Sequence, residues 1–221
     1  MIPVITIDGP SGAGKGTISR LLSQKLGYHL LDSGALYRLT GLWCEKCGIG
    51  TDDEVKVAEQ ATKLDVSFKV SGDATLILMS NEDVSSEIRE ERIGMLASKV
   101  AAYPLVRSAL LDRQRQFRLP PGLVADGRDM GTAVFPDSPY KFFLTASAEE
   151  RARRRMLQLG EAETNRSLYE QILQDIRARD EKDSNRSASP LVPADNAVQI
   201  DCTHLNIDTV LQIVLKQISE Q

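Results

Sequence analysis

The chain has 221 residues, of which 42% are hydrophobic and 26% are charged, and its formal net charge is −4. These values predict a globular protein with a sizeable core, and the acidic balance argues against a general nucleic-acid or membrane-binding surface. Because no apolar run approaches the ~20 residues of a membrane span and no signal peptide is visible, we expect a cytoplasmic protein.

The first predicted strand, residues 4–7, opens into a glycine-rich loop, and residues 15–26 then have the apolar spacing of a helix. This order is typical of a phosphate-binding Walker A loop, in which backbone N–H groups converge on an anion at a helix N-terminus. Lys15 would add a point charge for the β- and γ-phosphates of ATP. The residues predicted to bind ATP here are Gly9, Pro10, Ser11, Gly12, Ala13, Gly14, Lys15, Gly16 and Thr17.

Two alternatives explain this loop less well. A dinucleotide-binding turn would need the G-x-G-x-x-G spacing, but the position that completes it after Gly12 and Gly14 is Thr17. A plain flexible turn would not need a lysine at the mouth of a helix. The loop also ends with a glycine, Gly16, between the lysine and the hydroxyl of Thr17, and that ending is typical of nucleoside monophosphate kinases.

Short apolar runs along the chain alternate with segments of helical period. Runs that do not alternate in polarity are typical of strands buried on both faces of a parallel sheet, so the pattern predicts a doubly wound α/β core. The ligand edge of such a sheet would carry Asp8, Asp32, Asp126 and Asp201. Strands are predicted at residues 4–7, 29–31, 123–125, 142–144 and 198–200, and helices at 15–26, 35–47, 106–117, 148–159, 168–179 and 207–218.

Residues 65–70 and 75–79 alternate in polarity around a turn at residues 71–74, which predicts an inserted β-hairpin. The insertion is either decorative or a substrate-facing subdomain.

Three cysteines are present, and a zinc site built from Cys44, Cys47, Cys202 and His204 is conceivable. Because the second pair has the wrong spacing for a zinc finger, we favour thiols in a reducing compartment.

Two groups of charged residues stand out. Arg151, Arg154 and Arg155 share one helical face, which is either a solvated basic surface or a set of guanidinium groups for phosphoryl transfer, followed by a polar lid tip at residues 160–167. Arg179, Asp183 and Arg186 have helical spacing and would line one face if the helix from residue 168 continues that far. Spacing alone does not separate this from an ordinary surface ion-pair ladder.

The segment after the predicted strand at residues 123–125 places opposite charges between glycines. Asp126 sits where a Walker B carboxylate would, and Arg128 and Asp129 follow it.

The chain has two histidines and no recognisable pair of nucleophile and base. A kinase that phosphorylates a phosphate needs no base, because a phosphate monoester is already largely a dianion at neutral pH.

Taken together, these residues resemble the bacterial cytidylate kinases, a family of P-loop nucleoside monophosphate kinases. The matching pieces cover nearly the whole chain in order: ITIDGPSGAGKGT (5–17), LLDSGALYR (30–38), EDVSSEIR (82–89), ASKVAAYPLVR (97–107), ADGRDMGT (125–132), ERARRRMLQL (150–159), RDEKDSNR (179–186) and PLVPADNA (190–197). The resemblance implies phosphorylation of CMP and dCMP with ATP and Mg²⁺.

The resemblance also implies roles for individual residues. Ser33 and Arg38 would contact the sugar and phosphate of CMP, Ser98, Arg107 and Asp129 would contact cytosine and the nearby phosphate, and Arg128 would hold the acceptor phosphate. Asp183 and Arg186 would contact the ribose region and phosphate. Arg151, Arg154 and Arg155 would belong to the lid over ATP. Separately from the resemblance, Arg179 is predicted to act with Arg154 and Arg155 in transfer, and Asp126 is predicted to make an outer-shell magnesium contact.

The expected organisation is one kinase domain over residues 1–221, with an insertion for the nucleoside monophosphate at about 34–106 and a lid at about 151–167. A monomer is expected, with small-molecule partners only. The rival interpretations are another P-loop kinase for a small metabolite and a GTPase-type switch. The sequence has neither the Asn-Lys-x-Asp base-reading motif nor the Asp-x-x-Gly switch motif of such a GTPase.

Overall fold

The structure is a computed structural model that describes residues 2–72, 74–162, 164–186 and 189–220. Asp73 of the predicted hairpin turn and Glu163 of the predicted lid lie outside these ranges. The strands are β1 Val4–Asp8, β2 His29–Asp32, β3 Val66–Ser71, β4 Ala74–Met79, β5 Glu82–Asp83, β6 Leu123–Gly127, β7 Tyr140–Thr145 and β8 Val198–Asp201. The helices are α1 Lys15–Leu26, α2 Ser33–Lys46, α3 Glu54–Thr62, α4 Glu91–Val100, α5 Pro104–Arg115, α6 Ala148–Gln158, α7 Arg166–Ser184 and α8 Ile207–Ser219.

Five strands form one sheet in the order β2-β6-β1-β7-β8. The pairs β2–β6, β1–β7 and β7–β8 are parallel, and helices connect the strands, so the predicted α/β class with a parallel sheet is confirmed. All five residues of β1 are buried, which explains why Val4, Ile5 and Ile7 are apolar without alternating in polarity. At the carboxyl ends of β2 and β6, Asp32 and Asp126 are register partners.

The chain divides into two compact units. The first comprises residues 1–4 and 23–126, and the second comprises residues 5–22 and 127–221. The first therefore carries β2 to β5, most of β6, and α2 to α5. The second carries most of β1, the loop after it, β7, β8 and α6 to α8.

The predicted hairpin in the first unit is confirmed, because β3 pairs antiparallel with β4, and β5 extends this second sheet to three strands. Helix α2 begins where Asp32 Oδ1 accepts a hydrogen bond from the Ala35 N–H at 2.9 Å, which satisfies a backbone donor of the first turn. Gly41 of α2 lies so close to α4 that a Cβ there would be 2.9 Å from the Cβ of Leu96. The apolar core of this unit includes Leu31, Leu36, Leu39, Leu42, Ile93, Leu110 and Leu123.

In the second unit, Ser147 and Glu150 have the spacing of a capping box, and Ser147 Oγ accepts from the Glu150 N–H at 3.2 Å at the start of α6. Asn206 caps α8 in the same way, with Oδ1 accepting from the Thr209 N–H at 2.8 Å. The largest buried apolar side chains here include Ile5, Ile7, Leu22, Phe135 and Phe142. Within the described ranges, no helix is both long enough and apolar enough to cross a membrane.

The structure differs from the predicted elements in three places. Strands β1, β6 and β7 are longer than the runs predicted at 4–7, 123–125 and 142–144, because they span five, five and six residues. Helices α3 and α4 were not predicted. Helix α7 ends at Ser184, because Ser and Asn side chains compete for backbone hydrogen bonds and favour helix ends, so Arg186 lies beyond the helix rather than on the face of Arg179 and Asp183.

Candidate active site

The loop after β1, residues 9–17, has a backbone that only glycine adopts easily. Gly9, Gly12 and Gly14 have φ values of +143°, +82° and +100°. A Cβ on Gly9 would also lie 2.0 Å from the carbonyl oxygen of Leu144, which leaves no room for a side chain. The glycines therefore bring bare backbone to the N-terminus of α1, where N–H groups and the helix dipole favour an anion. We call residues 9–17 the phosphate loop.

Lys15 is the first residue of α1 and is 8% exposed. Its Nζ donates a hydrogen bond to the carbonyl oxygen of Pro10 at 2.9 Å. The side chain therefore folds back across the phosphate loop, and its ammonium group adds positive charge to the concave side that the loop backbone forms.

Arg151 of α6 is almost fully buried, with 4% of its surface exposed. Its Nε donates to the Ala146 carbonyl oxygen at 2.9 Å, and its Nη1 donates to the Ser11 carbonyl oxygen at 3.1 Å. Nη1 and Nη2 also bind the two carboxylate oxygens of Asp180 in α7. This side chain thus connects the phosphate loop to the start of α6 and to α7.

Arg154 contacts the same loop from the next turn of α6. Its Nη1 lies 3.5 Å from the Ala13 carbonyl oxygen, its Nη2 donates to the Cys202 carbonyl oxygen at 2.6 Å, and its Nε donates to Glu150 at 2.8 Å. Hydrogen bonds from Arg153 and Arg154 lower the pKa of Glu150 to about 2 despite partial burial. Arg155 is half-buried on the same helix.

Asp8 anchors the segment that follows β6. Its Oδ1 and Oδ2 accept the backbone N–H groups of Met130 and Gly131, each at 2.8 Å. Burial raises the pKa of Asp8 to about 6, although the two backbone hydrogen bonds and Lys15 oppose that rise. Since Asp8 directly precedes the phosphate loop, this carboxylate holds Arg128 and Asp129 near the start of that loop.

Arg128, Asp183 and Arg186 form a second charged group in the same unit, which we call the Asp183 cluster. Arg128 Nε donates to Asp183 Oδ2, and Arg186 Nη1 lies 3.7 Å from Asp183 Oδ1. Their side chains are only 12–18% exposed. The formal charge of these three side chains is +1, because two guanidinium groups share one carboxylate. Arg179 lies one turn before Asp183 on α7.

The first unit contains the other predicted substrate residues. Ser33 Oγ donates to Oε1 of Gln114 at 2.7 Å, and both residues are buried. Arg38 Nη1 donates to the Ile88 carbonyl oxygen at 2.8 Å. These contacts fix Ser33 and Arg38 at the beginning of α2, directly after the carboxyl end of β2.

Arg107 lies with its guanidinium carbon 5.7 Å from the centre of the Tyr37 ring, a cation–π distance, and its Nη1 is 3.4 Å from the Ala101 carbonyl oxygen. Ser98 is exposed on α4. Asp126 is buried at the end of β6. Of the three cysteines, Cys44 and Cys202 are buried and Cys47 is exposed.

Comparison with known proteins decides the family. A family model described as cytidylate kinase matches residues 5–220. The chain belongs to the cytidylate kinase family. The cytidylate kinase of Saccharophagus degradans is 58% identical over 97% of this chain and 96% of its own length. Those of Stutzerimonas stutzeri and Pseudomonas putida are 52% and 53% identical over 100% of this chain and 96% and 97% of theirs.

The sequence did not single out Gln114 and Asp180, two residues of this cytidylate kinase-family chain that hold site residues in place. Asp8 was predicted at the ligand edge of the sheet, but its hydrogen bonds with Met130 and Gly131 were not. Gln114 could have been noticed, because it continues the buried face of α5 set by Val106 and Leu110 at four-residue intervals, where an apolar residue is expected. Asp180 gave no comparable signal, because an acidic residue in a charged helix is ordinary.

Proposed function

We propose that this chain transfers the γ-phosphoryl group of ATP directly to CMP and dCMP, giving CDP or dCDP and ADP. We further propose that it acts in the cytoplasm as a monomer with small-molecule substrates only. Membership of the cytidylate kinase family supports the reaction. The acidic net charge of −4 supports the absence of a nucleic-acid or membrane partner.

One observation carries the proposal at the level of the site. Asp8 binds the backbone of Met130 and Gly131, so the residue next to the phosphate loop also fixes the segment that contains Arg128. One buried carboxylate, Asp8, therefore supports both the anion-binding loop and Arg128, the arginine proposed for a second phosphate. This arrangement suits a reaction in which a donor and an acceptor phosphate must be aligned.

Charge neutralisation is the second part of the mechanism. Phosphoryl transfer passes through a loose transition state whose negative charge is spread over the equatorial oxygens, and guanidinium and ammonium groups stabilise that charge. We assign this role to Lys15, to Arg154 and Arg155 of α6, and to three arginines in or beside the Asp183 cluster. These three are Arg128, Arg179 and Arg186. The +1 formal charge of the Asp183 cluster favours an acceptor phosphate dianion.

Mg²⁺ would be bound mainly by ATP. In phosphoryl-transfer enzymes this ion is usually held by one or two carboxylates together with substrate phosphates and water. The chemistry of the available donors fits that pattern, because Asp126 is a buried carboxylate at a strand end and Thr17 provides a hydroxyl in the first turn of α1. Within the described residues, no group of three or more His, Cys, Asp or Glu side chains is placed to hold a metal ion.

Selectivity for cytosine would come from polar contacts. The exocyclic amine of cytosine needs an acceptor, whereas its N3 and O2 need donors, and uracil reverses this pattern at positions 3 and 4. We assign base recognition to Ser98, Arg107 and Asp129, and contacts with the sugar and phosphate to Ser33, Arg38 and Asp183. A site that hydrogen-bonds one base discriminates against another that leaves its groups unpaired.

An acceptor panel tests this function. With ATP and Mg²⁺, ADP formation is measured with CMP, dCMP, UMP, AMP and shikimate as separate acceptors. The proposal predicts the highest kcat/KM with CMP and dCMP and a lower value with UMP. Comparable turnover of AMP or shikimate would favour a different P-loop kinase, and GTP binding without phosphorylation of any acceptor would favour a GTPase-type switch.

A further inference from the structure

Arg151 is assigned to ATP by resemblance, but its own contacts point elsewhere. A guanidinium group has five N–H donors. Four hydrogen bonds already connect Arg151 to Ala146, Ser11 and both oxygens of Asp180. At most one N–H therefore remains for a nucleotide, and the side chain is too buried to move without breaking several charge-assisted bonds.

The partners of Arg151 explain what this arrangement can do. Ser11 lies in the phosphate loop between Gly9 and Gly12, and its carbonyl oxygen is fixed by Nη1. A Cβ on Gly12 would be 3.3 Å from the Cβ of Arg151, so the loop also lies directly against this side chain. Asp180 belongs to α7, three residues before Asp183. The same guanidinium thus contacts the phosphate loop and the helix that carries the Asp183 cluster.

We propose that Arg151 and Asp180 form a loop clamp, a positioning device that holds the phosphate loop in its anion-binding conformation and ties it to α7. This inference rests on the proposed function only in taking ATP as the ligand of the loop. Asp180 acts on the loop indirectly, because its carboxylate fixes Arg151 and Arg151 fixes the Ser11 carbonyl oxygen.

Removing the Asp180 charge distinguishes the clamp from direct ATP binding, because the two roles predict opposite results. If Arg151 contacted ATP, Asp180 would compete with the phosphates for its guanidinium, and Asp180→Asn would leave ATP affinity unchanged or increase it. If the pair is a clamp, Asp180→Asn loosens the loop and weakens ATP binding. We expect a Kd for ATP that is about tenfold higher or more, the scale of a lost charge-assisted hydrogen bond.

Glu149→Gln is the matched control. Glu149 accepts a hydrogen bond from Arg177 Nη2 at 2.6 Å, so this pair also joins α6 to α7 and the substitution also removes one negative charge. Both side chains are more than half exposed, and the ion pair connects them to each other rather than to a residue of the phosphate loop. We expect less than about a twofold change in the Kd for ATP, because exposed ion pairs contribute little.

The experiment combines calorimetric titration of ATP with hydrogen–deuterium exchange of residues 9–17 without nucleotide, in the wild type, Asp180→Asn, Arg151→Lys, the double variant and Glu149→Gln. The clamp predicts faster exchange of the loop and weaker ATP binding in both single variants. Because both substitutions disrupt the same pair, the double variant is expected to have a Kd for ATP no higher than that of the more impaired single variant. Either an unchanged Kd or unchanged loop exchange in Asp180→Asn overturns it. Circular dichroism checks folding, and if Asp180→Asn does not fold, Arg151→Lys carries both readouts.

Failure of the clamp is distinguishable from failure of the proposed function. If the wild type binds ATP but does not phosphorylate CMP, the function is wrong and the clamp is still tested by affinity and exchange. If the wild type does not bind ATP, the exchange of the loop without nucleotide still tests whether Asp180 holds it.

Discussion

Two arginine sites in the second unit use the same side chain in different ways. In the loop clamp, one guanidinium is matched with one carboxylate, Asp180, and its other donors bind backbone carbonyl oxygens. In the Asp183 cluster, two guanidinium groups share one carboxylate and their formal sum is positive. The first arrangement is electrostatically balanced and suits holding backbone, whereas the second keeps net charge and suits a phosphate.

The difference also shows why a count of arginines in a motif is a poor guide to their roles. Arg151, Arg154 and Arg155 share a helical face in the sequence. In the structure, Arg151 and Arg154 bind carbonyl oxygens of the phosphate loop as well as carboxylates. The positive net charge of the Asp183 cluster instead combines residues that are far apart along the chain, because Arg128 lies 55 positions before Asp183 and adds its charge to that of Arg186.

The largest expected effect is at Lys15. Lys15→Ala removes the ammonium group that folds over the phosphate loop, and we expect kcat to fall by about 10³ or more, since charge stabilisation is the largest contribution in phosphoryl transfer. Steady-state turnover of CMP measures this. Lys25→Ala removes the same charge from an exposed position of the same helix and is expected to keep kcat, so equal losses in both variants would contradict the role of Lys15.

Arg186→Ala tests the Asp183 cluster directly. Without Arg186, one guanidinium and one carboxylate remain and the cluster loses its positive charge, so kcat is expected to fall on the scale of a lost transition-state arginine, about 10³. The Kd for ATP is expected to stay close to the wild-type value, in contrast to the loop-clamp variants. Arg177→Ala, at a 60% exposed side chain of α7, is the control. A change confined to ATP affinity would show that the two arginine sites do not differ as described.

Asp129→Asn tests whether the segment that Asp8 anchors also recognises the base. Replacing the carboxylate by an amide adds a donor opposite the cytosine amine, so we expect the ratio of kcat/KM for CMP to that for UMP to fall by about tenfold or more. Binding of ATP should change much less. The measurement is the acceptor panel repeated on the variant, and an unchanged ratio would remove Asp129 from base recognition.

The remaining prediction concerns the pH dependence of stability rather than catalysis. Asp8 and Glu150 lie in the same unit with opposite pKa shifts, to about 6 and to about 2. The native state therefore holds the Asp8 proton more tightly than the unfolded state does. Consequently, the Asp8 contribution to stability is fully present below the unfolded pKa of 3.8 and is lost as pH rises to about 6, an effect of roughly 3 kcal/mol.

Urea unfolding between pH 4 and pH 6 measures this contribution. Asp8→Asn is expected to remove it, so that the stability of the variant rises relative to the wild type as pH increases through this range. The control is Asp53→Asn, because hydrogen bonds lower the pKa of that exposed helix cap and its contribution therefore has the opposite sign. Identical pH profiles for the wild type and Asp8→Asn would show that burial does not govern the Asp8 proton.

Local sequence patterns predicted the elements with strong periodicity. The structure places α1 at the predicted bounds, and the hairpin was predicted because residues 65–70 and 75–79 alternate in polarity around a turn that contains glycine. Helix α3 was missed because only Val57 and Ala61 of its nine residues are buried, and α4 because its buried face includes the small residues Gly94 and Ala97. Helix α3 therefore presents no wide apolar stripe of the kind that the helical period predicts.

The parts of the candidate site whose residues are consecutive in the chain could be predicted from the sequence. The contacts between residues far apart in the chain could not. The phosphate loop follows from adjacent glycines and a lysine. The contacts of Arg151 with Asp180 and of Asp8 with Gly131 join positions 29 and 123 residues apart, and only the folded chain reveals them. Gln114 was overlooked for a different reason, because a polar side chain on a buried helix face departs from the pattern that identified the helix.

The account depends most on direct transfer between two aligned nucleotides, with no nucleophile from the protein. The most direct test is the stereochemistry of the reaction with ATP made chiral at the γ-phosphorus by oxygen isotopes and CMP as acceptor. A single in-line displacement predicts inversion of configuration at that phosphorus in the CDP product. Retention would require a phosphorylated enzyme intermediate and would contradict the account.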